Sequence, residues 1–383
     1  MAHLPATEHA LLLTCLAGLL GTTGCDADGP LPEDFEVDDS LIAEDIEDFE
    51  DFEDTDNTES PQGAADFEFA DDPVASPWPL SHKGNTIASG DLDADGTHEL
   101  YTAFYSPVHG AAIYRGTKTS PTHTRVYGLD SNTRVTHMAA GDVNGDGKDE
   151  LYIAFEETAG GFHSSLYKMD EHGSLTTVLG SANVGITALT VGDADGTSGE
   201  ELYSAYVDSY GYGSIYRSQS GSSRGSWIDG ASSTTFTALS TVDFTGSGPE
   251  ELCVAFQDQN ETGIYRGSNQ FYTSPGSYWS INAMESGDVD ADGDEELYIA
   301  FHNVAGQSSI YRSDLGTGLN SLEYGPLTVW DIASILVANL DADAAEEIAT
   351  SFNHVSGVAS MYLSETGSLP SARIYGPSSI WEL

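Results

Sequence analysis

Basic residues are scarce in this chain: 12 Lys and Arg stand against 62 Asp and Glu, giving a formal net charge of -50. So negative a surface repels nucleic acid and anionic membranes, which excludes both as expected partners, and it attracts cations. Only three cysteines are present, Cys15, Cys25 and Cys253. They are too few and too scattered for a disulfide framework or a zinc cluster.

Catalytic motifs and helix-period segments are also lacking. We find no HExxH motif, no Gly-rich phosphate loop before a helix and no strand-to-helix GxSxG nucleophile elbow. The histidines, such as His98, His137 and His302, do not share one position of the repeat described below. We therefore expect that the protein is not an enzyme; an extracellular carbohydrate-active enzyme with a loop-borne carboxylate pair is the alternative.

The apolar run at the amino end, LLLTCLAGLL at 11–20, is too short to span a bilayer but suits the core of a signal peptide. The segment GTTGC that follows resembles a bacterial lipobox, in which the cysteine is lipidated. We predict a signal peptide at 1–25, lipidation of Cys25 and export to the cell envelope, with plain secretion as the alternative. A lipid anchor would be the only contact with a membrane.

Residues 26–72 contain 21 Asp or Glu and no Lys or Arg. Isolated Phe and Ile among mutually repelling carboxylates cannot bury enough apolar surface to fold. This segment is predicted to be a disordered tether, acting either as a spacer or as a solubilising tail. The folded body then comprises 73–383.

The body is a sixfold repeat whose starts lie 45 to 51 residues apart. In each copy an Asp or Asn precedes a Glu by eight residues. The copies are DLDADGTHELYTAF from Asp91, DVNGDGKDELYIAF from Asp142, DADGTSGEELYSAY from Asp193, DFTGSGPEELCVAF from Asp243, DVDADGDEELYIAF from Asp288 and NLDADAAEEIATSF from Asn339. The period indicates that one structural unit is repeated around or along the fold.

Each unit offers four short strands with turn residues between them: a small-residue strand before the loop, an alternating strand after the Glu, a strand carrying IYR, and a closing strand. Four strands per 50 residues are typical of propeller blades, which bury their faces against one another. We predict an all-β propeller of six four-stranded antiparallel blades. A seventh would need residues near 64–84 and the tail PSSIWEL.

The loop of each unit places oxygen ligands at positions 1, 3, 5 and 9, with Gly at position 6 for a left-handed turn. Ca²⁺ requires six to eight oxygen ligands, and no His or Cys accompanies these carboxylates. Turn chemistry alone would explain one Asp and one Gly, but not several crowded carboxylates. The pattern therefore favours structural Ca²⁺, at about three to five sites.

These residues resemble the FG-GAP or VCBS-type repeat of integrin-like propellers and many bacterial surface proteins, over residues 85–376. The resemblance implies a calcium loop between two strands of each blade. It assigns as ligands Asp91, Asp93, Asp95 and Glu99; Asp142, Asn144, Asp146 and Glu150; and Asp288, Asp290, Asp292 and Glu296.

Three copies depart from the pattern. The third keeps Asp193, Asp195 and Glu201 but has Thr197 and Ser198 at positions 5 and 6, which predicts weaker binding. The sixth has Ala344 in place of Gly beside its predicted ligands Asn339, Asp341, Asp343 and Glu347. The fourth keeps only Asp243 and Glu251 and is expected to have lost the ion.

A basic residue also recurs after the third-strand tyrosine, at Arg115, Lys168, Arg217, Arg266 and Arg312. These residues either neutralise carboxylates or form a ring of ligand sites of the kind used by sugar-binding propellers. Four tryptophans are blade core or stacking platforms: Trp227, Trp279, Trp330 and Trp381.

The sequence thus predicts a calcium-binding, exported, monomeric propeller that serves as a binding or adhesion module. Its partner would be an extracellular protein or polysaccharide. The alternative within the same fold is a lectin with one sugar site per blade.

Overall fold

The described part of the chain forms six four-stranded antiparallel sheets, one for each repeat of the sequence. The computed structural model describes residues 83–375 except 107–109, 117–123, 131, 159–162, 198, 259, 276–278, 315–317, 320, 328–329, 342–344, 355–358 and 365–371. The signal peptide with Cys25, the acidic segment, Asp343 and Trp381 lie outside the described residues, so the predictions made for them remain predictions.

Strands follow one another in chain order within each blade, so that every connection inside a blade is a hairpin. The first three blades contain β1 (Lys83–Gly90), β2 (Glu99–Ser106), β3 (Gly110–Gly116), β4 (Thr124–Asp130), β5 (Thr133–Gly141), β6 (Glu150–Glu157), β7 (Ser164–Met169), β8 (Leu175–Ala182), β9 (Val184–Gly192), β10 (Glu201–Asp208), β11 (Tyr212–Ser218) and β12 (Ser226–Ser232). The last three contain β13 (Thr235–Val242), β14 (Glu251–Gln257), β15 (Glu261–Arg266), β16 (Asn269–Pro275), β17 (Trp279–Gly287), β18 (Glu296–Asn303), β19 (Ser308–Ser313), β20 (Ser321–Leu327), β21 (Trp330–Ala338), β22 (Glu347–His354), β23 (Ala359–Ser364) and β24 (Ala372–Tyr375).

The first strand of each blade contacts the first strand of the next, and β21 contacts β1 to close the ring. These inner strands therefore surround the axis, while the fourth strands form the outer edge. The prediction of a six-bladed propeller is confirmed. Among the residues that the structure describes there is no helix, and hence no helix long and apolar enough to cross a membrane.

The core lies between blades rather than within them. Each pair of neighbouring blades encloses a cluster of buried side chains, for example Tyr101 and Ile113 of the first blade against Val135 and Ile153 of the second. The alternating strand after each Glu supplies both clusters that flank its blade, because successive side chains point to opposite faces. This is why no repeat could fold without its neighbours.

An irregularity recurs in the inner strand of every blade. The pairing with the second strand skips one residue, at Asn85, Thr136, Thr187, Thr237, Asn282 and Ala333. A bulge of this kind bends the strand and increases its twist. The repeated bulge positions the carboxyl end of each inner strand, where the candidate calcium loop begins.

Candidate functional site

The acidic loops connect the first and second strands of each blade and are folded by their own first residue. Asp91 accepts hydrogen bonds from the backbone N–H of Asp95 at 3.0 Å and of Gly96 at 2.8 Å. Asp142 and Asp288 make the same pair of bonds in the second and fifth loops. The Asp side chain at position 1 thus stabilises the turn, and the turn brings the other carboxylates close together.

Two positions of these loops adopt left-handed backbone. Position 6 is the expected glycine, with φ of 85° at Gly96. Position 4 is left-handed too, with φ of 56° at Ala94 and 58° at Ala291, a conformation that costs a residue with a Cβ about 1 kcal/mol. The sequence analysis did not single out this second position, although Gly145, Gly196 and Gly246 occupy it in the second, third and fourth loops, with φ of 73°, 69° and 61°.

Carboxylate oxygens converge in three of the loops. In each of three groups, one oxygen per residue lies within 4.8 Å of the others: Asp91, Asp93 and Asp95; Asp193, Asp195 and Glu201; and Asp288, Asp290 and Asp292. The third loop is therefore brought together although its sequence departs from the pattern. Only oxygen donors are present in these groups, which suits a hard cation such as Ca²⁺.

The ninth-position glutamates lie under their loops. Glu99 is 6% exposed and Glu296 is 2% exposed, and the Oε2 atom of each is buried with no hydrogen-bond partner. Burial, followed by the nearby loop aspartates, raises the pKa of Glu99 to about 7, and Glu296 reaches about 7 mainly through burial. A buried carboxylate oxygen without a partner is costly, and a bound cation would remove that cost.

The second loop differs in how its glutamate is held. Glu150 accepts hydrogen bonds from the side-chain amide of Asn144 and from Lys168 Nζ, the latter at 3.0 Å. In the sixth loop, Glu347 Oε2 accepts the backbone N–H of Leu340 at 2.7 Å. In the fourth, Glu251 is exposed and pairs with Arg266 at 2.8 Å, so its carboxylate does not lie under the loop.

The recurring basic residues face the acidic loops of their own blades. Arg217 pairs with Asp195 at 2.8 Å, and Arg312 pairs with Asp290 at 2.9 Å and Glu296 at 3.1 Å. Arg115 interacts with Tyr101 and Glu99. Four of the five recurring basic residues thus pair with a carboxylate of their own loop: Lys168, Arg217, Arg266 and Arg312.

The eighth loop position, which the sequence analysis did not single out, joins neighbouring blades. Glu200 accepts the backbone N–H of Asp142, in the preceding blade, at 2.6 Å. Equivalent bonds join Asp149 to Asp91, Glu295 to Asp243 and Glu346 to Asp288, at 2.7 to 2.8 Å. Backbone N–H groups of Asp149, Glu250, Glu295 and Glu346 return bonds to the first-position carbonyl of the preceding blade. We call this arrangement the interblade clasp.

Small residues before the loops make room for the clasp. A Cβ at Gly192 would overlap Glu250 Oε2 and the hydroxyl of Thr241 in the next blade. A Cβ at Gly141 or Gly287 would likewise overlap Glu200 or Glu346 and a valine of the next blade. A small residue before the loop therefore leaves room for the clasp carboxylate of the next blade.

We expect Gly192→Ala to destabilise the propeller by about 1–3 kcal/mol, the usual cost of forcing a methyl group into a packed interior. Thermal unfolding followed by circular dichroism measures this loss. Gly180→Ala is the matched control, because a Cβ at Gly180 meets nothing within 4 Å. Equal melting temperatures for the two variants would contradict the role of Gly192 at the seam.

The inner strands enclose a cavity of about 160 Å³ on the axis of the ring. Glu285 projects into this space from β17, at a repeat position that other blades fill with Ala88, Ala139, Thr190, Ser240 and Leu336. Burial, and then the carboxylates of Glu346, Glu295 and Glu250, raise the pKa of Glu285 to about 8. An isolated Glu in a small-residue strand was the only sequence signal for this group.

Three other features of the sequence can be located in the fold. Gly221–Gly225 spells GSSRG, a GxSxG string, but it lies in the hairpin between β11 and β12, with no helix after it, and so is not a nucleophile elbow. Cys253 is fully buried, as expected for a small apolar replacement of the tyrosine found in other copies. Trp279 packs against the core between blades four and five, whereas Trp227 lies exposed on the outer strand β12.

Comparison with known proteins gives a family match for part of the chain. Residues 91–153 match the model of the FG-GAP-like repeat, which spans the first two acidic loops. Together with the six blades, this match supports an FG-GAP propeller. No curated protein sequence matches the chain.

Several solved structures share the fold. The fungal Aleuria aurantia lectin, described as a six-bladed β-propeller with a novel fucose recognition mode, is 14% identical over 79% of this chain and 98% of its own, with a TM-score of 0.51. A mutant of that lectin in complex with α-methyl-L-fucoside is 14% identical over 78% of this chain and 99% of its own, with a TM-score of 0.52. AofleA from Arthrobotrys oligospora is 11% identical over 79% and 88%, with a TM-score of 0.51. At such identities the likeness shows the propeller fold.

Proposed function

We propose that this propeller is a calcium-stabilised carbohydrate-binding module. The observation that carries the calcium assignment is the buried, unpartnered Oε2 of Glu99 and of Glu296 beside loops whose aspartate oxygens converge. Ca²⁺ would be held by the first-, third-, fifth- and ninth-position side chains of the first, second and fifth loops. Asp193, Asp195 and Glu201 form the next candidate, followed by the described residues of the sixth loop, Asn339, Asp341 and Glu347.

Calcium in these loops would be structural. The loops adjoin the interblade clasps, since the first-position residue both closes its own loop and bonds to the next blade. An ion that neutralises the loop carboxylates therefore stabilises the seam between blades. We assign the ions no catalytic step.

The glutamate at the ninth position of the loop makes calcium binding depend on pH. Free Glu99 and Glu296 have pKa values near 7, and their protons must leave before the carboxylates can coordinate a cation. Calcium affinity should therefore fall as the pH is lowered from 8 to 6.

Replacing Glu296 by Gln should remove about one bound Ca²⁺ per chain, because the amide keeps the shape of the side chain but offers no charge to the cation. Isothermal titration with CaCl₂ counts the ions. The control is Glu251→Gln, which changes the ninth position of the loop that lacks the other ligands. If both variants bound as many ions as the wild type, the ninth position would not be a ligand.

A carbohydrate is the ligand class that the comparisons favour over a protein. The similar propellers include the Aleuria aurantia lectin and a complex of it with α-methyl-L-fucoside. The recurring Arg and Lys residues do not favour one sugar site per blade, because four of the five pair with carboxylates of the acidic loops. We therefore locate ligand binding elsewhere on the ring.

We also propose export and anchoring through Cys25, on the strength of the lipobox-like sequence before it. Mass spectrometry of the protein from its native host would show a lipid on Cys25. Cleavage elsewhere with an unmodified Cys25 would support plain secretion.

The binding function is tested by applying the purified full chain to a glycan array in 1 mM CaCl₂, and again in EDTA. We expect a chemically related set of glycans to be bound in calcium, and weaker binding in EDTA because the blades that present the site are loosened. A chain that takes up calcium but binds no glycan would overturn the carbohydrate assignment and leave a protein partner. Hydrolysis of an arrayed glycan would favour the enzyme.

A further inference from the structure

The outer strand of the third blade carries an aromatic side chain where the other blades carry none. The third-strand tyrosine of each blade pairs across to one residue of the fourth strand. These partners are Arg125, Thr177, Trp227, Gln270, Leu322 and Arg373, in blade order. Any site built on the indole is therefore single, not sixfold.

Trp227 is 59% exposed, and within the described part of the chain its indole makes no contact with another aromatic ring. Its Nε1 lies over Gly230, where even a Cβ would meet it at 3.0 Å. The ring therefore lies along the edge of the sheet, with apolar surface open to solvent. Tryptophan, with an apolar body and a polar N–H, is a residue type enriched at binding interfaces.

A cation lies over the cross-strand partner of Trp227. The Arg224 guanidinium lies 3.5 Å from the ring centroid of Tyr216 and 4.6 Å from that of Tyr206. Tyr216 is also the cross-strand partner of Trp227, so that Arg224 and Trp227 flank the same residue. The two tyrosine rings fix the plane of the guanidinium.

Arg224 differs from the recurring basic residues because it has no carboxylate partner among the described residues. Its Nε is buried and lacks a hydrogen-bond partner. A guanidinium carries five N–H donors in a fixed plane. Arg224 is only half-buried, so a ligand would be bound by the donors other than Nε. Arg224 thus does not share the role of the recurring arginines, which pair with carboxylates of the acidic loops.

The loop that carries Arg224 is held against the second blade. Gly221 lies so close to the Tyr152 hydroxyl that no side chain would fit there. Tyr152 in turn donates a hydrogen bond to Glu150, in the second acidic loop, at 3.4 Å. Arg224 is therefore positioned at the seam between the second and third blades, on a rigid support.

We propose that Trp227 and Arg224 form a single saccharide-binding site at the outer edge of the third blade. The indole face would stack on the C–H face of a sugar ring, and the guanidinium would donate hydrogen bonds to neighbouring hydroxyls. This inference rests on the proposed carbohydrate-binding function and gives that function a location.

The ligand should be a neutral sugar. The chain has a net charge of -50, which opposes the approach of sulfated or carboxylated glycans at long range. Asp229 lies on β12 between Trp227 and Gly230, and its carboxylate would repel an anionic group at short range. Hydroxyls accept hydrogen bonds from Arg224 without this repulsion.

The test uses the full chain in calcium with a panel of methyl glycosides of fucose, galactose, mannose and glucose, together with the glycan array. Binding of the best methyl glycoside is measured for every variant by isothermal titration calorimetry, and in the wild type the ¹H–¹⁵N signal of the Trp227 indole, assigned by comparison with Trp227→Phe, should shift on binding. We expect Trp227→Ala and Arg224→Lys each to weaken binding at least tenfold. Arg224→Lys retains the charge but not the planar donors.

Two matched controls come from the same surface. Tyr210→Ala removes an aromatic side chain that is 84% exposed at the opposite end of β11, and Leu322→Ala changes the equivalent edge position of the fifth blade, where Leu322 is 47% exposed. Neither should alter the affinity. Melting temperatures within a degree of the wild type show that each variant is folded.

The outcomes separate this site from the proposed function. Glycan binding that persists unchanged in Trp227→Ala and Arg224→Lys overturns the site while the carbohydrate-binding function stands. An absence of binding to every glycoside and arrayed glycan overturns both. Preferential binding of sulfated or carboxylated glycans overturns the assignment to neutral sugars.

Discussion

Removal of calcium should lower the melting temperature of the propeller by about 7 °C. At 1 mM Ca²⁺ and a dissociation constant of about 10⁻⁴ M, each site adds about 1.4 kcal/mol to the folded state. Three sites then contribute about 4 kcal/mol. Unfolding about 290 residues has an entropy of about 0.6 kcal/mol per degree, which converts this loss into about 7 °C.

The physical reason lies in the loop carboxylates. Without a cation, the grouped oxygens of Asp91, Asp93 and Asp95 repel one another within 4.8 Å, and Glu99 keeps a buried oxygen without a partner. Because each loop adjoins an interblade clasp, that repulsion acts on the seams that hold the ring closed. Calcium bound in the third or sixth loop as well would make the fall in melting temperature on chelation larger.

Differential scanning calorimetry in 1 mM CaCl₂ and in EDTA measures the shift, and MgCl₂ in place of CaCl₂ tests selectivity. The combined variant Glu99→Gln, Glu150→Gln and Glu296→Gln provides the control for chelator effects unrelated to the loops. Its melting temperature should change by less than about 2 °C on chelation, since it has little bound calcium to lose. A wild-type melt that is the same in calcium and EDTA would rule out structural calcium.

The sequence sufficed to predict the fold because its repeat is strict. Eight residues separate Asp91 from Glu99 and Asp288 from Glu296 alike, and this spacing fixes the hairpin between the first two strands of every blade. The alternating strand after each Glu then fixes which side chains lie between blades. Six copies of one unit leave few ways to bury both faces other than a closed ring.

The functional surface was less predictable, because it depends on contacts between repeats. The clasp glutamates adjoin the predicted ligands in sequence, and spacing alone does not separate the two groups. The structure separates them, because Glu200 bonds to the preceding blade rather than to its own loop. The recurring arginines were equally compatible with ligand sites and with internal ion pairs. Only the three-dimensional partners of Arg217 and Arg312 distinguish these roles.

Residues that break the repeat proved as informative as those that follow it. Trp227 and Arg224 lie in the variable outer part of one blade, where no pattern of spacing identifies them. Glu285 similarly replaces a small or apolar residue in a single inner strand. A repeat protein can place a single specialised group anywhere on its ring, since the fold is specified by the other copies.

Glu285 should make the stability of the propeller fall as the pH rises from about 5 to 8. Its pKa is about 8 in the folded chain, because it is buried and faces Glu346, Glu295 and Glu250, against an ordinary value of 4.5. The folded state therefore holds its proton more tightly than the unfolded chain does. This contribution is fully present below about pH 4.5 and is lost as the pH rises through 8.

We expect Glu285→Gln to raise the melting temperature by about 3 °C at pH 8 and to have little effect near pH 4.5. The full change in pKa would correspond to about 4–5 kcal/mol, and screening of the partly buried side chain reduces this to about 2 kcal/mol.

Glu157→Gln, at an exposed position, is the control. Melts at constant 1 mM Ca²⁺ from pH 5 to 8 let the loop glutamates titrate alike in both variants, so the difference between the two variants isolates the axial carboxylate. If Glu285→Gln and the wild type lost stability in parallel over this range, the carboxylates at the axis would not be coupled, and the cavity would have to be more polar than the lining of Ala88, Ala139 and Leu336 implies.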